Sequence, residues 1–212
     1  MSTYPPTSAY SRNTIRGWTV LVSKDLLAND KLTADECLAL LDNKLYDVNR
    51  IVPGVPLEKV RRVPIWLERD DHLFPGGVYH PSRDWLVEHD VNPDKAKAVE
   101  FGNAKNFLAW SLDQPMLVLH ELAHAYHDQV LGYDNPDVRA AYQRAKDSGT
   151  YEAVLRGNGS TEKAYAMENE QEYFAELSES YFGTNDFFPF VRAEVQQHDP
   201  QMFALLEKLW TK

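Results

Sequence analysis

Two histidines and a glutamate at the spacing His120-Glu121-x-x-His124 stand inside the apolar stretch PMLVLHELAHAYHDQVLG, residues 115–132. On a helix the two histidines lie about 40° apart on one face and one turn apart along the axis, so both imidazoles can reach one ion. Glu121 lies about 100° round from His120, too far to complete a compact ligand set yet well placed to touch a water on the metal. This is the HExxH metal pattern, with the glutamate as general base. Met116, Leu117, Val118, Leu119, Leu122, Ala123 and Ala125 make the helix apolar nearly all round, which predicts burial. Buried histidines and a buried glutamate need partners; the competing reading is a core helix whose histidines are satisfied by hydrogen bonds alone. Pro115 suits the first helical position and Gly132 the left-handed position after the last turn, predicting a helix over 115–131.

A catalytic zinc takes three protein ligands and keeps a position for water. A third histidine six residues after the second would fall at position 130, which is Val130, and the accompanying glycine at 127, which is His127. A better third ligand comes later, in YAMENEQEYFAE, residues 165–176. A helix starting near Asn169 puts Glu172 and Glu176 one turn apart on one face, the first able to bind metal and the second to orient a ligand histidine.

HELAH followed by NEQEYFAE, with a tyrosine four residues before the asparagine, resembles the gluzincin metallopeptidases of the anthrax lethal factor type. The resemblance covers roughly residues 115–182, about a third of the chain. It implies that His120, His124 and Glu172 bind one catalytic Zn2+ ion and that Glu121 is the general base. It also implies that Tyr165 turns its phenol toward the oxygen on the metal, and that Glu176 supports a ligand histidine. The implied substrate is a peptide or protein. His127, three residues after the second ligand, is a departure from the pattern. The same chemistry hydrolyses other amides, so an amidase acting on a small molecule remains an alternative. So does a non-catalytic, zinc-containing binding or toxin-like module, although structural zinc sites are usually closed by four protein ligands, often cysteines.

The elements that position these residues follow from composition and pattern. With 212 residues, 43% of them hydrophobic, the chain can bury one sizeable core. The expected organisation is an extended tail over 1–16 and a single peptidase domain over 17–212. That domain divides into an N-terminal lobe, 17–131, with a small sheet and helices including the HExxH helix, and a mainly helical C-terminal lobe, 132–212. The fold class is α+β, of the zincin type. A net charge of −10 argues against a nucleic-acid surface, which needs clustered Lys and Arg. The lone Cys37 excludes an internal disulfide and reads as a core residue. No run reaches the length of a membrane span. The start MSTYPPTSAYSRN has neither a basic nor an apolar signal region; a cytoplasmic protein and a secreted one with its signal removed both fit. A monomer is expected.

Along the chain, 17–23 is rich in β-formers and predicts a strand. Thr33-Ala-Asp-Glu36 predicts a capping box opening an amphipathic helix of about 17 residues that ends before Pro53. A short helical turn is expected over 57–62. A second strand is expected over 63–68, with Pro64 marking its beginning or an edge. The short piece 78–80 is a candidate sheet edge near the cleft. Its His80 is a possible ligand but more often such a histidine is held by hydrogen bonds. A helical turn over 81–88, a strand over 98–101 and a helix over 103–111 lead into the metal helix. Asn135-Pro opens a helix ending at Gly149. A turn at Gly157-Asn-Gly-Ser carries Tyr165 toward the cleft, a helix over 169–182 carries the glutamates, and an apolar helical segment closes the chain.

Overall fold

Trp18, Val20 and Val22 alternate with Thr19, Leu21 and Ser23, and on a strand such alternation sends the two sets to opposite faces. In the computed structural model, which describes residues 4–211, that strand is β2 (Trp18–Ser23). Residues 1–3 of the expected tail and Lys212 of the expected C-terminal lobe lie outside the described residues. β2 joins a five-stranded mixed sheet with β1 (Tyr10–Ile15), β3 (Ile65–Leu67), β4 (Gly77–Tyr79) and β5 (Val99–Phe101), in the order β1-β2-β3-β5-β4. The three inner strands β2, β3 and β5 run parallel, and β1 and β4 are antiparallel edges. In register, Val20, Ile65 and Val99 share one face while Leu21, Trp66 and Glu100 share the other.

The first face carries the main core. Over it lies α2 (Lys31–Ile51), whose Cys37, Leu41, Leu45 and Val48 recur at helical spacing and are buried. The short helices α1 (Lys24–Asn29) and α3 (Gly54–Val60) and the longer α5 (Ala104–Asp113) add Leu26, Val60 and Phe107 to the same core, while the short α4 (Arg83–Glu88) packs against the 3-10 turn Pro93–Lys95. Then come α6 (Leu117–Tyr126), α7 (Pro136–Ser148), the two-stranded ribbon β6 (Val154–Leu155) and β7 (Thr161–Glu162), α8 (Glu170–Phe182), α9 (Arg192–His198) and α10 (Pro200–Leu209). One continuous cluster of buried apolar side chains runs from Trp18 on the sheet to Trp210. Cys37 belongs to it; burial pushes its thiol up to about 12, far from the reactive range. Among the described residues no helix is long and apolar enough to cross a membrane.

The chain is thus α+β, with the helix-rich half following the sheet. Several local expectations need correcting. Tyr10–Ile15, expected in the tail, is an edge strand whose alternating exposure comes from backbone pairing with β2 rather than from an apolar pattern. The helix predicted to open at Thr33 begins two residues earlier, at Lys31, with Asp30 before it and no side-chain cap; Thr33 lies inside it and the capping box is not used. Of the two readings of Pro64, the beginning of a strand is the one found, since β3 starts at Ile65 and is internal to the sheet. Pro64 precedes it, so its missing N–H breaks no ladder bond, and its carbonyl accepts from the Val99 N–H at 2.9 Å. The helix expected over 115–131 is α6 followed by a π-helical turn, His127–Leu131. Gly132 has a positive φ of 81° but an extended ψ of 133°, so it leaves the helix without the left-handed cap.

The far face of the sheet is also buried, by an ionic network. Lys95 Nζ lies 2.6 Å from Glu100 Oε1 and 2.8 Å from Glu68 Oε1. His80 Nε2 lies 2.7 Å from Glu100 Oε2, and the Tyr10 hydroxyl donates to Glu68 at 2.6 Å. Burial pushes Glu100 up, but the His80 hydrogen bond and the Lys95 charge outweigh it and hold Glu100 below the ordinary carboxylate value. Lys95 is therefore the one lysine balancing two buried carboxylates. Its replacement in Lys95→Met leaves them uncompensated and is expected to lower unfolding stability by about 3–5 kcal/mol, measured by urea denaturation at pH 7.

Candidate metal centre

The site lies where α6 packs against α8. His120 and His124 occupy successive turns of one face of α6, both about nine-tenths buried. Asn169 caps α8 by accepting the Glu172 N–H at 2.8 Å. That bond starts the helix where Glu172 falls in its first turn, the end at which the helix dipole favours a carboxylate. The three groups converge: His120 Nε2 is 3.0 Å from His124 Nε2 and 3.1 Å from Glu172 Oε2, and His124 Nε2 is 3.2 Å from the same oxygen. Four ligands at about 2.0–2.1 Å on a tetrahedral zinc stand about 3.3 Å apart. The donor set therefore fits one ion with little adjustment, and two imidazoles with one carboxylate are zinc-type ligands.

The other ring nitrogen of His120 is also engaged. Its Nδ1 lies 2.6 Å from Glu179 Oε1 and 3.5 Å from Glu176 Oε1. The carboxylate expected to orient the histidine was Glu176; Glu179 makes the short contact, and Glu176 Oε2 instead accepts from Asn185 Nδ2 at 3.1 Å. An Nδ1–H donated to Glu179 leaves the Nε2 lone pair facing His124 and Glu172. Burial alone would lower the His120 pKa, but hydrogen bonds to Glu172 and Glu179 outweigh it and raise it well above 6.5. Glu176 and Glu179, fully enclosed, are both pushed up by burial, Glu176 further by the charge of Glu179.

Glu121 stands beside this trio, 5% exposed. Burial pushes its carboxyl up, against the pull of His120 and His124. Across from it runs β4. A Cβ at Gly77 would come within 2.9 Å of Glu121 Oε1 and 3.1 Å of its Cγ, so a side chain there would push the Glu121 carboxylate out of its position. Tyr165 sits in a 3-10 turn, Tyr165–Met167, just before α8. It is 46% exposed, and burial of part of the ring, then the nearby Glu172, push its pKa up. Two hollows of about 330 and 190 Å3 adjoin the centre, and Gly77, His120, Glu121 and Tyr165 line both. The larger is completed by the rest of β4, His124, Glu172 and Tyr133; the smaller by Trp110, Glu176, Glu179 and Asp186.

His80 and His127 are not in the trio. His80 is bonded to Glu100 in the network on the far side of the sheet. His127 is fully buried between the rings of Tyr133 and Phe174, with centroids 5.0 and 4.9 Å away. Burial pushes it down to about 4, so the ring is neutral at pH 7. Two groups escaped the sequence reading. Glu179 lies seven residues after Glu172 and therefore within about 20° of it on the helix, a signal that was present. Tyr133 lines the larger hollow from just beyond the π-turn, and no local pattern announces that.

Against known families, the chain matches the profile of the family described as anthrax toxin lethal factor, N- and C-terminal domain, over residues 96–209. No curated protein and no solved structure matches. The matched span starts just before β5 and ends with α10, so it contains both helices that carry His120, His124 and Glu172. It covers just over half of the chain, which therefore belongs to the anthrax toxin lethal factor family.

Proposed function

We propose that the chain is a zinc-dependent endopeptidase, with one Zn2+ held by His120, His124 and Glu172. The observation that carries this is the convergence of two imidazole nitrogens and one carboxylate oxygen from two helices, 3.0–3.2 Å apart, with a buried carboxyl, Glu121, beside them and a cleft in front. Zinc bound there would polarise the scissile carbonyl and acidify a water. Glu121, its proton affinity raised by burial, takes the proton of that water and delivers it to the leaving amine. Tyr165, lining both hollows, donates its phenol to the oxygen that becomes negative as the amide carbon turns tetrahedral. Glu179 fixes the orientation and tautomer of His120.

A peptide is favoured over a small amide by the position of β4. Among the described residues it pairs only with β5, and its residues Gly77, Val78 and Tyr79 line the larger hollow. An extended peptide can add to that open edge by backbone hydrogen bonds, with Gly77 keeping the path to Glu121 free.

The purified chain is expected to bind one zinc per molecule, and Glu172→Ala to lose it; unchanged zinc content in the mutant, by metal analysis, would remove Glu172 from the site. Glu121→Gln should retain zinc and cut peptide hydrolysis by about 10²–10⁴-fold. Tyr165→Phe should lower kcat roughly ten- to a thousandfold with little change in KM. Full activity in both folded, zinc-loaded variants would sink the mechanism, read by mass spectrometry on a mixed peptide library. Zinc binding should also depend on pH. In the metal-free chain the His120 pKa is raised, so the ring holds a proton that zinc must displace. Affinity should rise as pH rises and fall toward acid, with proton release visible by calorimetry in two buffers of different ionisation enthalpy.

A further inference from the structure

The smaller hollow, about 190 Å3, is below the roughly 300 Å3 of typical small-molecule sites and suits a single side chain. One wall is apolar. Trp110, 40% exposed, stands against Gly76, where a Cβ would come 2.5 Å from the indole ring, and Leu117 lies near it. The remaining wall is acidic, with Glu121, Glu176, Glu179 and Asp186 among the lining residues and no lysine or arginine among them. Glu176 and Asp186 each use an oxygen, toward Asn185 and toward Arg156 at 3.2 Å. Glu179 is different. It is 3% exposed, its Oε1 meets His120, and its Oε2 has no hydrogen-bond partner among the described residues. A buried carboxylate oxygen without a partner is unfavourable by the full desolvation of that group until a donor reaches it.

We propose that this pocket binds the cationic side chain of a substrate residue, lysine or arginine. The aliphatic stem lies along Trp110 and Leu117, and the charged head is placed by Glu179, with Glu176 and Asp186 nearby. The inference rests on the peptidase reading in one respect, that the pocket opens beside Glu121 and so selects a residue near the cleaved bond. An acidic side chain would meet like charge, an apolar one would leave Glu179 unpartnered, and a neutral donor would reach it without the compensating charge. A second metal ion is disfavoured by geometry. His120 Nδ1 and Glu179 Oε1 are 2.6 Å apart, a hydrogen bond, whereas two ligands of one zinc stand about 3.3 Å apart.

The test uses the zinc-supplemented Glu121→Gln chain, which binds without turnover, titrated by calorimetry with N-acetyl-arginine amide and its neutral isostere N-acetyl-citrulline amide. The arginine probe should bind at least tenfold more tightly, and Glu179→Gln in the same background should abolish the difference. Because Glu179 also supports His120, Asp186→Asn, which does not touch the histidine, serves as the second variant and should reduce the difference several-fold. Equal affinity of the two probes, no saturable arginine binding, or a second equivalent of zinc that displaces the arginine probe would overturn the proposal. The two readings fail separately in the peptide library. Cleavage with no preference for Lys or Arg at any position next to the bond overturns the pocket and leaves the peptidase. Retained arginine selectivity in a chain that cleaves no peptide supports the pocket and removes the peptidase.

Discussion

The structure depends on how α6 and α8 are held together around the His120 imidazole, which touches Glu172 and His124 with one nitrogen and Glu179 with the other. Helices that present polar groups to each other gain little from burial at that seam, so the register must be fixed elsewhere. The C-terminal segment fixes it. The Tyr126 hydroxyl at the end of α6 donates to the Leu209 carbonyl at 2.9 Å, and Trp210 donates to Ser178 of α8 at 3.0 Å. The Trp210 ring also stacks on Tyr126, 4.4 Å away with planes 12° apart. One tryptophan thus braces both site helices behind the histidine–glutamate trio. Ser178 and Ser180, polar residues within a buried stretch of α8, return their own hydroxyl protons to the Phe174 and Pro189 carbonyls, so the helix buries them without loss.

The edge strand is tied to the same unit by the π-turn. Asp128 and Gln129, both in His127–Leu131, bond the Tyr79 hydroxyl: it donates to Asp128 at 2.6 Å and accepts from Gln129 at 3.0 Å. Lys97, just before β5, pairs with the same aspartate. The widened turn rotates these side chains toward the sheet, where a continued α-helix would have aimed them elsewhere. The close approach of β4 to Glu121, with Gly77 against its carboxylate, is therefore supported by contacts one helical turn beyond the histidines.

This division explains what the sequence could disclose. The HExxH spacing and the NEQEYFAE stretch carry helical geometry in a short window, and the structure brings His120, His124 and Glu172 together accordingly. β2 and α2 were legible because their burial follows the periods of a strand and a helix, whereas β3 and β5, buried on both faces, read only as short β-forming runs. What escaped detection depends on partners distant in the chain. Tyr10–Ile15 is a strand only because Trp18–Ser23 is there to pair with it. The Lys95 network joins residues from Tyr10 to Glu100 on the far face, and read alone each looks like an ordinary surface charge. The C-terminal aromatic residues read as packing alone, since nothing local shows Trp210 reaching Ser178.

Glu179 shows how one position can link two properties. Glu172, Glu176 and Glu179 share a helix face, but Glu176 is turned about 40° from Glu172 and Glu179 only about 20° the other way. His120 lies between the first and the last, so Glu179 receives its Nδ1 while Glu176 turns to Asn185. A carboxylate has two oxygens and a histidine N–H occupies one, so the second is left for whatever fills the adjoining pocket. On the proposed reading, a cation there would draw electron density from the Glu179 carboxylate and weaken His120 as a metal donor, so that substrate selection and metal affinity would be coupled through this one side chain.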